Sequence, residues 1–180
     1  MSEKISWLLL IYKVPSEPST LRVKAWRKLK EVGALYLQQS VAVYPGINNL
    51  ENEIRILTKD IKESGGEALL LQVAALSSED ENYLISKFNE QRDLEYEELM
   101  DKCNDFFSEI EKETAKQNFT FAELEENDEE IDKLSRWFSK IKERDFFGSE
   151  KRQKAEEMMA KCRQYLLEFA EKIYKKEGTI

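Results

Sequence analysis

Ile5-Ser-Trp-Leu-Leu-Leu-Ile-Tyr-Lys-Val14 is a near-continuous apolar run stopped by Pro15 and Pro18. Its length and β-prone side chains predict a strand that is covered on both faces or central in its sheet. From Ser19 the period changes. Leu21, Ala25, Leu29 and Val32 share one helical face, Lys24, Arg27, Lys28 and Glu31 the other, and Gly33 ends the helix as a cap. Leu35 to Gln38 and Val41 to Tyr44 are short β-prone runs joined near Gln39-Ser40, with Pro45-Gly46 closing the second. They predict a hairpin, with one continuous bent strand as the alternative. Leu50, Ile54, Leu57 and Ile61 then recur at helical steps, opening after Asn48-Asn49 and closing at Gly65-Gly66, before the apolar run Ala68 to Leu76.

That order, βαββαβ with helical spacers, predicts an α+β chain with a ferredoxin-like head over residues 1–76. Residues 77–180 are helical in period throughout, which predicts an α-helical C-terminal extension. Ser78 with Glu81 and Thr120 with Glu123 match the capping box. With a break at Gly148-Ser149, they predict helices at about 79–114, 128–145 and 150–176. A short turn is expected near 120–126, and the acidic stretch 123–130 reads as a solvated helix junction. Ala155, Met159, Cys162, Leu166, Phe169 and Ile173 alternate steps of four and three, the seam a helix presents to another helix.

At 180 residues with 41% hydrophobic content, the chain can bury a core and is not compositionally disordered. No apolar stretch approaches the roughly 20 residues needed to cross a bilayer. Glu3 and the lack of a small-residue cleavage site argue against a signal peptide, so a cytoplasmic location is expected. The absence of histidine excludes histidine-based triads and His-ligated zinc. No Gly-rich phosphate loop, Cys-x-x-Cys pair or Ser nucleophile motif is present, so no enzyme activity, catalytic residue, metal or cofactor is expected. Cys103 and Cys162 lie on apolar stripes and read as core thiols rather than a redox pair.

Charge is uneven. Residues 1–76 hold 10 Lys/Arg against 8 Asp/Glu, and residues 77–180 hold 18 against 28. Any phosphate or oxyanion contact is therefore expected on the head. Arg22, Lys24, Arg27, Lys28 and Lys30 put five cations on the first helix. A planar Arg fork suits phosphate, chromate or carboxylate, while the bland alternative is the wet face of an amphipathic helix. Arg92 differs, because the stripe Ile85, Phe88, Arg92, Tyr96, Leu99, Cys103, Phe106, Ile110 runs through it. A guanidinium in an apolar seam needs a partner, either Glu95 or another tail carboxylate, or an anionic ligand. Arg144 is in step with Leu134, Trp137 and Ile141, so Arg92 and Arg144 are expected to converge between the tail helices and the head. Arg22, Arg27, Arg92, Tyr96 and Arg144 are the candidate oxyanion-binding residues. Gln38, Gln39 and Ser40 are candidates for the mouth of a polar pocket beside Tyr12, though hairpin edges commonly carry such residues.

Trp7-Leu-Leu-Leu-Ile-Tyr, Arg22-Val-Lys-Ala-Trp-Arg-Lys-Leu, Gly33-Ala-Leu-Tyr-Leu-Gln-Gln-Ser-Val-Ala-Val-Tyr-Pro45, Phe88-Asn-Glu-Gln-Arg-Asp-Leu-Glu-Tyr-Glu-Glu-Leu99 and Arg144-Asp-Phe-Phe-Gly148 occur in that order. Together they resemble the ChrB N-terminal domain family over nearly the whole chain. The resemblance implies a link to chromate resistance or chromate-responsive gene control, and larger relatives in which this region precedes another domain. More distantly the head resembles the middle domain of PaaX-type repressors and the ferredoxin-like CRISPR-associated endonucleases. Those nucleases carry an acidic metal ligand at the end of the first strand, where this chain reads Tyr12-Lys13-Val14, so metal-dependent nuclease activity is not expected. PaaX-type repressors carry a winged helix-turn-helix before this domain, whereas the first strand here begins at residue 5.

The expected function is a non-enzymatic sensor or accessory protein of chromate or oxyanion response. The alternatives are a homodimerising interaction module without ligand, and DNA-associated transcriptional regulation through the basic first helix. No membrane partner is expected.

Overall fold

The computed structural model describes residues 5–17, 19–47, 50–176 and 178. The expected stop at Pro18 and the opening of the second helix at Asn48-Asn49 lie outside these residues. The elements run β1(Trp7–Lys13), α1(Ser19–Glu31), β2(Leu35–Gln38), β3(Val41–Pro45), α2(Leu50–Glu63), β4(Glu67–Val73), α3(Ser78–Ala115), α4(Phe121–Glu143) and α5(Arg152–Lys176). The chain is α+β and falls into two compact units, residues 1–88 and 89–180, with the division inside α3. No described helix is long and apolar enough to cross a membrane.

In the first unit the four strands form one antiparallel sheet in the order β2-β3-β1-β4. β1 is hydrogen-bonded along both edges and is therefore central in the sheet, with one face buried and Ile11 on the other 40% exposed. Leu8, Leu10 and Tyr12 are buried on one face, where Leu21, Ala25 and Leu29 of α1 and Ile54, Leu57 and Ile61 of α2 supply the apolar counterpart. On the opposite face Trp7 is buried and stacks on Phe88, with ring centroids 5.8 Å apart. Gly33, at φ 76°, takes the left-handed conformation that closes α1, with Ala34 N–H donating to Leu29 O. Gly66 has a different reason to be glycine: a Cβ there would lie 2.7 Å from Lys13 O and 2.8 Å from Ile61 Cγ2.

Three expectations need correction. β4 ends at Val73 rather than Leu76, because its ladder with β1 runs out at the Trp7–Val73 pair and Leu76 is left exposed. The N-terminus of α3 is capped by Ser77 and Asp80 rather than Ser78 and Glu81: Asp80 N–H donates to Ser77 Oγ, and the Ser77 hydroxyl donates to Asp80 Oδ2. The third concerns α4, which begins at Phe121, seven residues before the expected start. Thr120 Oγ1 accepts from Glu123 N–H, and the acidic stretch 123–130 lies in the early turns, where the helix dipole favours carboxylates. Leu124, Asn127 and Ile131 put an inward face on that stretch, so it is helix and not a junction. The turn instead spans 116–120, with Gln117 at φ 57°.

The second unit is a helical bundle. Tyr96, Leu99, Cys103, Phe106 and Ile110 of α3 pack with Ile131, Leu134, Phe138 and Ile141 of α4 and Ala155, Met159, Cys162, Phe169 and Ile173 of α5 in one buried cluster. The α3–α4 turn meets the end of α5, through Phe119 on Phe169 and Lys176 Nζ donating to Gln117 O. The α4–α5 connection meets α3 near residues 93–97, through Lys151 and Glu97 among others. The three segments therefore alternate in direction, as short helix connections require.

Candidate functional site

Arg92 is the outlier of the second unit. Helical spacing in α3 puts it in the buried stripe one turn before Tyr96, and it is only 5% exposed. A guanidinium carries five N–H donors and cannot shed its charge, so burial demands acceptors. Glu95 Oε2 lies 3.3 Å from Arg92 Nε, at an angle that makes no hydrogen bond. Among the described residues, Arg92 Nε and Nη1 have no acceptor, and Nη2 has a long contact of 3.5 Å to Gln91 Oε1. Burial draws the Arg92 guanidinium below its ordinary pKa; Glu95 opposes this and Arg144 adds to it.

Arg144 closes α4 as its C-cap, its backbone N–H donating to Ile141 O and Lys142 O. Its side chain turns to the same carboxylate: Nη2 donates to Glu95 Oε2 at 3.1 Å, while Nε is buried without an acceptor. Two guanidinium groups thus share one carboxylate oxygen of Glu95, and the Asp145 carboxylate also acts on Arg92 from close by. Arg92 and Arg144 meet at Glu95 within the second unit. Tyr96 is fully buried, and its hydroxyl donates to Asp145 Oδ2 at 3.2 Å. Burial first, and Asp145 second, push the Tyr96 phenol above its ordinary pKa and keep its proton in place.

Sequence reading missed the groups that hold this cluster in shape. Asp145 Oδ1 accepts from Ser149 N–H at 2.8 Å, and Arg152 Nη1 lies 3.8 Å from Asp145 Oδ2. The Ser149 hydroxyl donates to Asp93 Oδ1 at 2.5 Å. The available signal was the segment Asp145-Phe-Phe-Gly148-Ser149, a polar pair bracketing a tight connection, in which Gly148 adopts φ 77°.

Arg22 and Arg27 belong to the first unit, on the exposed face of α1. Arg22 borders a groove with Tyr12, Tyr36 and the Gln38-Gln39-Ser40 turn, and Arg27 borders a separate groove between α1 and α2. Of the five α1 cations, Lys24 is paired with Asp60 at 2.7 Å and Lys28 with Glu53 at 2.6 Å. The Glu53 hydrogen bond is the first cause that raises the Lys28 pKa. Lys30 lies over the Trp26 ring, 5.3 Å from its centroid.

The two cysteines are free and fully buried. Cys103 Sγ donates to Met159 Sδ at 3.7 Å. The neighbouring Cys103, with burial second, raises the Cys162 thiol, which stays protonated, while Cys162 lowers that of Cys103. No group of three or more acidic or thiol ligands is poised for a metal among the described residues.

Three comparisons bear on these arrangements. No solved structure matches the chain. A curated relative named Protein ChrB, from Cupriavidus metallidurans, is 25% identical over 156 residues, covering 86% of this chain and 44% of the relative. The chain thus spans less than half the length of that relative. The family described as "Protein ChrB, N-terminal" matches residues 22–180, which include every candidate residue above, and the chain belongs to that family.

Proposed function

We propose that the chain is a non-enzymatic sensor or accessory protein of chromate and related oxyanion response, and that Arg92 and Arg144 hold the anion. Family membership supports the link to chromate resistance. The observation that carries the site is the buried Arg92 guanidinium with two unmet nitrogens, sharing the Glu95 carboxylate with Arg144. Unmet buried donors cost about 1–3 kcal/mol each. A tetrahedral dianion supplies the acceptors that these donors lack. In the same reading the protein works in the cytoplasm, and its first unit is ferredoxin-like, which the βαββαβ order and the β2-β3-β1-β4 sheet support.

Thermal melts in chromate, sulfate, phosphate and chloride at matched ionic strength test the proposal. Binding to the folded state alone raises the melting temperature, by about 2.7 kcal/mol of stability at a hundredfold excess over Kd. The expected result is a chromate or sulfate shift above that of chloride, lost in Arg144→Gln. Equal shifts in both proteins would refute the assignment.

A dimerising module is the second reading. Ile11, Leu69 and Leu71 share one sheet face by register, at 40%, 52% and 37% exposure, and β4 is an edge strand. Light scattering that returns a monomer mass at tens of micromolar removes it. The DNA reading draws less support, since α2 carboxylates already pair two of the five α1 cations.

A further inference from the structure

We propose that the groove between α1 and the β2–β3 hairpin is a binding site for a small aromatic anion, a planar ring bearing a phosphate, with a nucleoside monophosphate as its representative. This stands apart from the oxyanion reading, because it concerns a different unit and different residues.

Charge decides the sign of the ligand. The groove, of about 840 Å³, is bordered by Arg22 and Trp26 on α1, Lys13 at the end of β1, and Tyr12 and Tyr36 of the sheet. Its other bordering residues are Val14, Val23 and the Gln38-Gln39-Ser40 turn, so no carboxylate lines it. Arg22 and Lys13 have no ion-pair partner among the described residues. The neighbouring groove between α1 and α2 has the opposite character. Its cations meet Glu31, Glu53 and Asp60, which pair with Lys24 and Lys28 across its walls. Of these two grooves, the α1–α2 one faces three cations with three carboxylates, whereas the hairpin groove sets Arg22 and Lys13 against none.

The rest of the lining calls for a ring. Trp26 is 49% exposed although Lys30 Nζ lies over its ring, and an indole is a stacking surface for any flat heterocycle on the face that remains. The Tyr12 and Tyr36 hydroxyls lie 2.9 Å apart, and burial followed by this bond raises the Tyr36 phenol, so a hydroxyl proton persists at neutral pH. The Gln38 and Gln39 amides add neutral donors and acceptors of the kind that read heterocycle edges. Ser40 takes φ 66°, a left-handed conformation rare for serine, and is pinned there by Tyr12 N–H donating to its carbonyl at 3.0 Å. The hairpin therefore presents a fixed rather than a pliable wall. A bare tetrahedral ion would leave most of this space and its aromatic border unused, whereas a ring with a phosphate fits the 300–1,000 Å³ usual for small-molecule sites.

Calorimetric titration of the full chain with adenosine monophosphate, adenosine, inorganic phosphate and a short single-stranded oligonucleotide tests the assignment. The nucleotide is expected to bind at least about tenfold more tightly than adenosine or phosphate, the ratio one charge-assisted contact gives. Arg22→Ala should weaken it about tenfold, and Trp26→Ala by a similar factor; both residues are exposed, and a circular dichroism spectrum verifies that the variants fold. Tyr36→Phe, which keeps the ring and its packing, should weaken binding to a smaller degree. The proposal is overturned by a nucleotide affinity no better than that of phosphate, by Arg22→Ala binding as the parent does, or by binding confined to the oligonucleotide.

Discussion

The cations of the two units are managed in opposite ways. On α1 they stand in water, and Lys24 and Lys28 each find a carboxylate of α2 at ordinary ion-pair distance. In the bundle, Arg92 and Arg144 are taken out of water and share the Glu95 carboxylate. Residues 1–88 carry no net charge and residues 89–180 carry −8, yet the buried guanidinium donors without acceptors sit in the acidic unit. Regional net charge governs long-range attraction, whereas an individual site depends on which donors lack acceptors after packing.

The sharpest way to break this comparison is to remove the shared carboxylate. Glu95→Gln leaves two guanidinium groups without it, and loss of one partner from a buried pair costs about 3–5 kcal/mol. Glu53→Gln on the head, removing the partner of Lys28, should cost under about 1 kcal/mol, because that pair is partly exposed and screened. Urea midpoints of the two variants measure the difference. Equal losses would mean that the tail cluster is no more desolvated than the surface.

Arg92→Met is expected to act in the other direction. It keeps an unbranched chain in the apolar stripe, removes two unmet donors, and leaves Arg144 with Glu95 to itself. A gain of about 1–3 kcal/mol in anion-free buffer is expected, together with loss of the chromate or sulfate shift. A destabilised Arg92→Met protein would mark Arg92 as a structural ion pair instead. The pairing of stability gain with lost response is what separates a residue kept for binding from one kept for folding.

Periodicity made most of the fold legible. The βαββαβ order, the buried stripe through Arg92 and the seam of α5 all follow from steps of two or of three and four. What stayed hidden was long-range. Tyr96 with Asp145 is a contact across 49 positions, and Asp93 with Ser149 one across 56; neither has a local pattern to announce it. The acidic stretch 123–130 was misread because its composition suggests solvent, while Leu124, Asn127 and Ile131 quietly supply an inward face. Glu95 was legible as a partner of Arg92, being three residues away; that Arg144 would claim the same oxygen was not, since it depends on how α4 ends.

The smallest expected effect concerns a tail charge that is well matched, the converse of Arg92. Glu113 is buried at the end of α3 and accepts from Lys116 Nζ at 2.7 Å and Asn118 Nδ2 at 2.6 Å. Asn118 Nδ2 also donates to Glu123 Oε1 at 2.9 Å, so one amide ties the end of α3 to the start of α4. The Lys116 bond first, and the Asn118 bond second, lower the Glu113 pKa. A carboxylate whose folded pKa is depressed contributes stability that is complete above its unfolded value, about 4.3, and that fades as pH falls through the folded value. Stability should therefore decline below about pH 4.3 with a component that Glu113→Gln removes, the amide being indifferent to pH in that range. Melting temperatures of both proteins between pH 6 and pH 3 measure it: the gap between parent and variant should be widest at pH 6 and narrow toward pH 3. A gap that stays constant over that range would mean that Glu113 gains nothing from its charge, and that the hydrogen bonds at the α3–α4 turn act through geometry alone.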